Sequence, residues 1–210
     1  MINQLLNNLL HKNAVVSPFA FLTDTEIDKT TAIRPLVKME RCKVGKCSSL
    51  GTLSAAYDTN IGKFCSIGRE CYIGGANHPL DRVSTSSCFY LKENYTGVCY
   101  DANDYNWHTH TIIGNDVWMG IRSIVVGGVT ISDGAVIGAG SIVTHNVGPY
   151  EIWAGNPARF IRKRFDDDTI QILLESKWWD WSDDELYKTG FLFKNHNQFI
   201  KFLKSRKCDF

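Results

Sequence analysis

The stretch Ile113-Gly114-Asn115-Asp116-Val117-Trp118-Met119-Gly120-Ile121-Arg122-Ser123-Ile124-Val125 decides the fold. Its anchors Ile113, Met119 and Val125 are followed by Ile131, Ile137 and Val143, so an apolar residue recurs every six positions. That period belongs neither to an α-helix nor to a plain strand. Four residues after each anchor come Val117, Ser123, Val129, Ala135, Ser141 and Val147, all small or β-branched, while Gly114, Gly120 and Gly138 directly follow their own anchors. A six-residue unit holds one short strand and one turn. Three such units close a triangular coil whose neighbours hydrogen-bond about 4.8 Å above and below. The anchors then stack in ladders inside the prism, small side chains sit where the chain turns inward, and glycine tolerates the corners.

Working upstream, the same clock runs through Ile61-Gly62, Ile67-Gly68 and Ile73-Gly74, with Cys65 and Cys71 in the small slots, and more faintly through Val44-Gly45 and Leu50-Gly51 with Ser48 and Ser54. From Leu50 to Ile61 the spacing is eleven, one residue short of two units. The pattern predicts an all-β solenoid, a parallel β-helix of coils that stabilise one another as in other repeat arrays. An ordinary β-sandwich with Gly-rich turns would not hold a phase of six for so long. The expected organisation is an N-terminal segment over 1–40, a β-helix over 41–160 interrupted by a loop excursion over 75–112, and a C-terminal helical extension over 161–210.

Lys and Arg number 23 against 22 for Asp and Glu, which excludes a polybasic nucleic-acid binder on bulk electrostatics. With 44% apolar and 21% charged residues the chain has ample material for a core. No apolar run approaches the roughly 18 residues of a membrane span, and Ala14 to Leu22 is broken by Ser17 and Pro18. The opening Met1-Ile2-Asn3-Gln4-Leu5-Leu6 lacks the features of a secretory signal, so a cytoplasmic location is expected. The seven cysteines, Cys42, Cys47, Cys65, Cys71, Cys88, Cys99 and Cys208, show no C-x-x-C spacing and read as reduced, small, buried side chains.

The period vanishes between Gly74 and Ile112, where Gly75-Ala76-Asn77-His78-Pro79-Leu80-Asp81-Arg82 opens a polar and aromatic segment that ends in Trp107-His108-Thr109-His110. Long insertions on a rigid scaffold are usual places for chemistry. His108 and His110 alternate as metal ligands would on one strand face, but no third ligand lies nearby, so no metal is expected and they read as lining or packing residues. After Pro149, Ala154-Gly155-Asn156-Pro157-Ala158-Arg159 reads as a turn into the basic run Arg162-Lys163-Arg164, either a solvated surface or a phosphate dock. Helices are expected from Asp166 onward: Asp168 as N-cap with Ile170, Leu173, Leu174 and Trp178 on one face, then a capping box at Ser182-Asp183-Asp184-Glu185. The aromatics from Phe191 to Phe202 read as packing with Trp178, Trp179 and Trp181.

The repeats, Asn77-His78-Pro79, Asn115-Asp116-Val117-Trp118-Met119-Gly120 and Gly155-Asn156-Pro157-Ala158-Arg159 together resemble the hexapeptide-repeat acyltransferases, specifically the xenobiotic acetyltransferase subfamily. Arg164-Phe165-Asp166 through Trp178-Trp179-Asp180-Trp181 looks like the C-terminal helices of type-B chloramphenicol acetyltransferases. The resemblance runs from about Val44 to Leu186. It implies a left-handed coil, which periodicity alone would not give, since parallel crossovers are generally right-handed. It further implies a homotrimer with acetyl-CoA lying between adjacent subunits, and His78 as general base. A hydroxyl attacking a thioester must lose its proton, and an imidazole, with an ordinary pKa of about 6.5, accepts one at neutral pH. The simpler alternative makes His78 a turn residue ahead of Pro79.

By the same resemblance the pantetheine would lie near Gly120, Ile121, Gly138 and Ala139 with Trp118 flanking it, although Trp118 could equally be outer packing. Thr144, His145, Asn156, Pro157 and Arg159, with Arg164 and Lys163 as weaker candidates, match the adenine and phosphate end. Many relatives carry lysine where His145 stands, so a phosphate contact there would be weak near neutral pH. No cysteine sits in a nucleophile motif, and direct transfer is expected over a covalent acyl-enzyme. For the acceptor, Asn77, Asp81, Arg82, Ser84 and Tyr90 offer polar partners suited to a polyol, and Gly75 to Thr85 reads as departing from the Gly-x-x-His pattern of the chloramphenicol enzymes and as closer to relatives that look like sugar O-acetyltransferases. The ranking is therefore surface-carbohydrate O-acetylation first and antibiotic acetylation second, with an amino-sugar acceptor and a catalytically silent structural trimer as further alternatives.

Overall fold

In the computed structural model, which describes residues 15–101 and 105–207, the six-residue units close into a left-handed parallel β-helix of triangular section. Among the described residues face A carries eight strands, from Val15–Val16 to Ala158–Lys163. Face B carries six, from Phe21–Thr23 to Ile142–Val143, and face C five, from Glu26–Ile27 to Thr130–Ile131. Register keeps the anchors in line: on face A, Ile33, Leu50, Ile67, Met119, Ile137 and Trp153 pair in succession. All but Trp153 are buried in one continuous core, and a fully buried side chain of this size contributes about 1.5–3 kcal/mol.

Among the described residues the coils already run from Val15, well before residue 41. Val15 pairs with Ala32, Ala32 with Ser49 and Ser49 with Ser66, a step of 17 residues, whereas Trp118 pairs with Val136, a step of 18. The missing residue lies each time on the edge between faces B and C, where Leu22 to Ile27, Met39 to Val44 and Ala56 to Ile61 are five apart. A strict search for six loses phase once per coil there. The hydrophobic ladder continues regardless, with Leu22, Ile33 and Met39 buried.

The glycines after the anchors do a different job from the one expected. A Cβ on Gly68 would stand 2.7 Å from the backbone nitrogen of Ile121, and one on Gly120 2.5 Å from that of Ala139. These positions are glycine because adjacent coils touch there. The left-handed corner two residues further on is taken by Leu36, Leu53, Glu70 and Arg122, with φ between 57° and 63°. Hydroxyls in the small slots tie coil to coil: Ser48 Oγ donates to the Gly62 carbonyl at 2.7 Å and accepts from the Cys65 amide at 2.9 Å.

Above the last coil the strands Glu151–Gly155 and Ala158–Lys163 form an antiparallel hairpin around the Gly155-to-Ala158 turn. Three helices follow: α1 (Asp167–Ser176), α2 (Asp183–Thr189) and α3 (His196–Lys207). The N-cap of α1 is Asp166, not Asp168; its carboxylate accepts from the Thr169 amide at 2.8 Å, leaving Asp168 inside the first turn. Ser182 caps α2 as expected, accepting from the Glu185 amide at 3.2 Å. The helices bury Ile170, Leu173, Trp178, Trp179, Phe199 and Leu203 around Tyr150, with Phe64 of the C–A edge 5.0 Å from Trp178. Among the cysteines, Cys42, Cys65 and Cys71 are buried, but Cys47 is exposed and Cys88 and Cys99 are half-buried in the excursion; Cys208 lies outside the described residues. No helix among the described residues is long and apolar enough to cross a membrane.

Candidate active site

The excursion leaves face B after Gly74 and rejoins face C at Thr111, so it springs from the B–C edge. Its two limbs are pinned together at the mouth. The Asn77 amide donates to the Trp107 carbonyl at 3.1 Å, and the Thr109 hydroxyl, 3.4 Å from the Asn77 side-chain amide, reaches the Gly75 carbonyl at 3.4 Å. His78 follows at once, its ring at the surface and held from one side.

His78 Nδ1 donates to the Thr85 carbonyl at 2.9 Å, with the Tyr90 hydroxyl oxygen 2.8 Å from the same nitrogen. A carbonyl can only accept, so the Thr85 contact favours the neutral tautomer with its proton on Nδ1 and the lone pair on Nε2. Tyr90 is 2% exposed, and burial raises its phenol pKa, so it stays neutral beside the imidazole. Its ring meets that of His78 edge-on at 6.2 Å. The two contacts on Nδ1 thus orient the ring.

Between the excursion and face B lies a cavity of about 950 Å³, lined by Tyr57, Tyr72, Asn77, His78, Tyr90 and Trp107 together with charged groups of both signs. Tyr57 and Tyr72 pack at 5.4 Å, and burial raises the Tyr72 phenol. Of the five expected acceptor contacts, Asn77 and Tyr90 reach the wall. Asp81, Arg82 and Ser84 do not: Arg82 stacks 5.5 Å from the Tyr105 ring centroid, and Ser84 accepts from the Ser86 amide at 3.1 Å. The polar ends of Arg82 and Ser84 are taken up in shaping the excursion.

The expected cofactor contacts fall on two other parts of the prism. Gly120, Ile121, Gly138 and Ala139 lie on the A–B edge beside Trp118, which is 55% exposed on face A. Asn156, Pro157 and Arg159, in the hairpin above, cap the same edge, where the Gly155 amide donates to Ser141 Oγ at 3.1 Å. Thr144 and His145 lie on the B–C edge with His78, their hydroxyl and Nδ1 2.8 Å apart. Arg164 belongs to neither group: its Nη1 is 3.0 Å from Asp116 and donates to the Gly134 carbonyl at 2.7 Å, under Tyr150 and Phe165, so it braces the C–A edge. Lys163 pairs with Asp167.

No family model matches the chain. Over 131 residues it is 46% identical to the chloramphenicol acetyltransferase of Agrobacterium fabrum, covering 60% of this chain and 61% of that one, so the match spans under two thirds of that relative's length. Over 129 residues it is 42% identical to a probable macrolide acetyltransferase of Lysinibacillus sphaericus, covering 60% of this chain and 72% of that one. The chain belongs to the xenobiotic acetyltransferase subfamily of hexapeptide-repeat acyltransferases. A galactoside acetyltransferase solved with coenzyme A superimposes on this subfamily member with a TM-score of 0.55 at 25% identity, over 77% of this chain and 71% of that one. A point variant of AntD, an N-acyltransferase from Bacillus cereus solved with dTDP and coenzyme A, does so at 0.62 and 20% identity, over 79% and 87%, a likeness of fold alone.

For this xenobiotic acetyltransferase relative, several site features were not read from the sequence. The Thr85 carbonyl is a backbone group and leaves no trace in residue type. Arg41 and Asp58, 17 residues apart and thus stacked on successive coils, would have been paired by the true coil period: Arg41 Nε donates to Asp58 Oδ1 at 2.6 Å. His108 spends its Nδ1 on Asp58 at 3.2 Å, and its ring stacks on Trp107. Gly75 and His78 do keep the Gly-x-x-His spacing, so that spacing does not set this loop apart from chloramphenicol enzymes.

Proposed function

We propose that the protein is an acetyl-CoA-dependent O-acetyltransferase acting on a bulky xenobiotic hydroxyl compound, with His78 as general base. The observation that carries this reading is the His78 ring itself, its Nδ1 engaged by the Thr85 carbonyl and its Nε2 left as the basic atom at the cavity wall. Nε2 takes the hydroxyl proton as the oxygen attacks the thioester carbonyl, and the imidazolium returns it to the departing thiolate. Thr85 and Tyr90 hold the ring through both steps.

The relatives named for chloramphenicol and macrolides favour a xenobiotic acceptor over the surface carbohydrate ranked first from sequence. The cavity agrees in size: about 950 Å³ lies at the upper end of the range for drug-sized ligands, and Tyr57, Tyr72, Tyr90, Tyr95 and Trp107 stand in its wall among charged and small side chains. The donor is proposed to be acetyl-CoA, the coenzyme A-bound galactoside enzyme being a structural neighbour. Its contacts would be Trp118, Gly120, Ile121, Gly138, Ala139, Asn156, Pro157 and Arg159 along the A–B edge, with Thr144 and His145 from the B–C edge. Because the A–B edge of one prism is not the edge carrying His78, a donor touching both would bridge two copies. A homotrimer repeats that contact three times and closes on itself. The exposed ladder Phe19, Leu36 and Leu53 on the A–B edge supplies apolar surface for such packing.

The test is a release assay for free CoA with chloramphenicol, a streptogramin, a macrolide and a panel of oligosaccharides. Turnover with a member of the first three and none with the sugars is expected. Sugar-only turnover would return the carbohydrate reading, and silence with every acceptor would defeat the enzyme reading.

A further inference from the structure

The cavity wall away from His78 contains charged side chains that the proposed transfer leaves unused. Arg41 grips Asp58 with two bonds, Nε to Oδ1 at 2.6 Å and Nη2 to Oδ2 at 2.9 Å, and its remaining Nη1 reaches Glu40. His108 Nδ1 lies 3.2 Å from the same Oδ2. The Asp58 side chain is only 12% exposed, and the Arg41 hydrogen bonds hold its carboxyl below the ordinary carboxylate range. A bidentate pair fixes orientation as well as distance.

Trp107 stands at the far end of these contacts. Its ring stacks on the His108 imidazole at 3.6 Å and 30°, and the Arg41 guanidinium lies 5.9 Å from its centroid. Trp107 lines the large cavity and also a second one of about 440 Å³, a boundary it shares with Leu91, Lys92 and Glu93. Arg41 and Asp58 belong to the coils, whereas Trp107 and His108 belong to the returning limb of the excursion. The ion pair therefore carries the position of the coil across to the aromatic wall on that limb.

We propose that the Arg41–Asp58–His108 chain sets the position of Trp107 and that Trp107 gauges the acceptor, which makes Asp58 a positioning residue for acceptor selection. The inference rests on the reading that the acceptor occupies this cavity. Asp58 sits in the left-handed region at φ 49°, which asparagine tolerates, so Asp58→Asn removes the charge and one acceptor oxygen without a backbone penalty.

Two measurements test it. In steady-state kinetics with chloramphenicol, Asp58→Asn is expected to raise the acceptor KM about tenfold, as for a slightly misplaced contact, while kcat and the acetyl-CoA KM hold. Trp107→Ala should do the same, and the double variant should be no worse than Trp107→Ala alone. Additive effects, or an unchanged acceptor KM, would overturn the inference. In hydrogen exchange on the free protein, the peptide over 105–110 should exchange about tenfold faster in Asp58→Asn, since a broken tie opens locally. Unchanged exchange would overturn the inference whether or not chloramphenicol turns over. Absence of turnover by the wild type counts against the proposed function instead, and leaves the exchange result to judge this one.

Discussion

Replacing Gly127 by alanine should damage transfer by moving the backbone that carries His78. Gly127 lies on the B–C edge one coil above Gly75, and its φ is outside the left-handed region, so alanine suits its conformation. Space is the obstacle. An added Cβ would stand 2.5 Å from the Gly75 carbonyl oxygen and nearer still to Thr109 Oγ1, against 3.4 Å where ordinary contact begins. Thr109 can turn its hydroxyl away, but the Gly75 carbonyl is backbone and must retreat by about 0.9 Å, carrying Asn77 and His78 with it. A displacement of about 1 Å at a catalytic group can cost about 100-fold, so kcat/KM should fall about 10- to 100-fold. The control is Gly45→Ala, whose Cβ would meet the Gly62 carbonyl carbon at 2.8 Å on the C–A edge, away from the excursion. Both variants should lose about 1–3 kcal/mol of stability from overpacking, measured by urea unfolding. Only Gly127→Ala should lose turnover when both are assayed well below their melting midpoints. Wild-type turnover by Gly127→Ala, or an equal loss in Gly45→Ala, would refute the link between coil spacing and His78.

Two further outcomes follow from the ionisable groups. Burial pushes the Cys42 thiol up to about 11 and that of Cys65 up to about 12, while hydrogen bonds from Thr96 and Ser86 lower Cys88. Iodoacetamide at neutral pH should therefore modify Cys88 and the exposed Cys47, spare Cys42 and Cys65, and leave turnover largely intact; activity lost in step with labelling of Cys65 would revive a covalent route. The Asp58 carboxyl is held below its ordinary 3.8 by Arg41, so the unfolded chain binds this proton more readily than the folded one. Its contribution to stability is present above pH 3.8 and is lost as the pH falls below that value through the lowered one. Urea melts of Asp58→Asn should accordingly show lower stability at neutral pH and a shallower acid decline than the wild type, and equal pH slopes would contradict the pairing.

The prism was legible because its energetics repeat: each coil needs an apolar anchor inside and a small residue at the inward turn, and Ile113 to Val147 meet that demand without a gap. The first coils were not, because a five-residue side at Leu22 to Ile27 and Met39 to Val44 satisfies the same core with one residue fewer. Glycine was recognised but its reason was not, since Gly68 and Gly120 answer to the neighbouring coil and not to their own φ. At the candidate site, His78 stood out by residue type and place. Its partners did not, because Thr85 acts through a carbonyl and Tyr90 through a fold of the excursion that no period encodes. Arg164 shows a related point: the motif put it at the phosphate end, whereas the structure sets its Nη1 on Asp116 and the Gly134 carbonyl, partners that lie on another edge and leave no local signal.

The central claim is that the free Nε2 of His78 takes the acceptor's proton. It is tested most directly by comparing wild type and His78→Ala in two assays at once, binding of acetyl-CoA by calorimetry and release of CoA in the presence of an accepted hydroxyl compound. Unchanged binding with a rate lower by about 100-fold or more is predicted, in line with loss of a general base. A variant that binds acetyl-CoA and still transfers at the wild-type rate would contradict it.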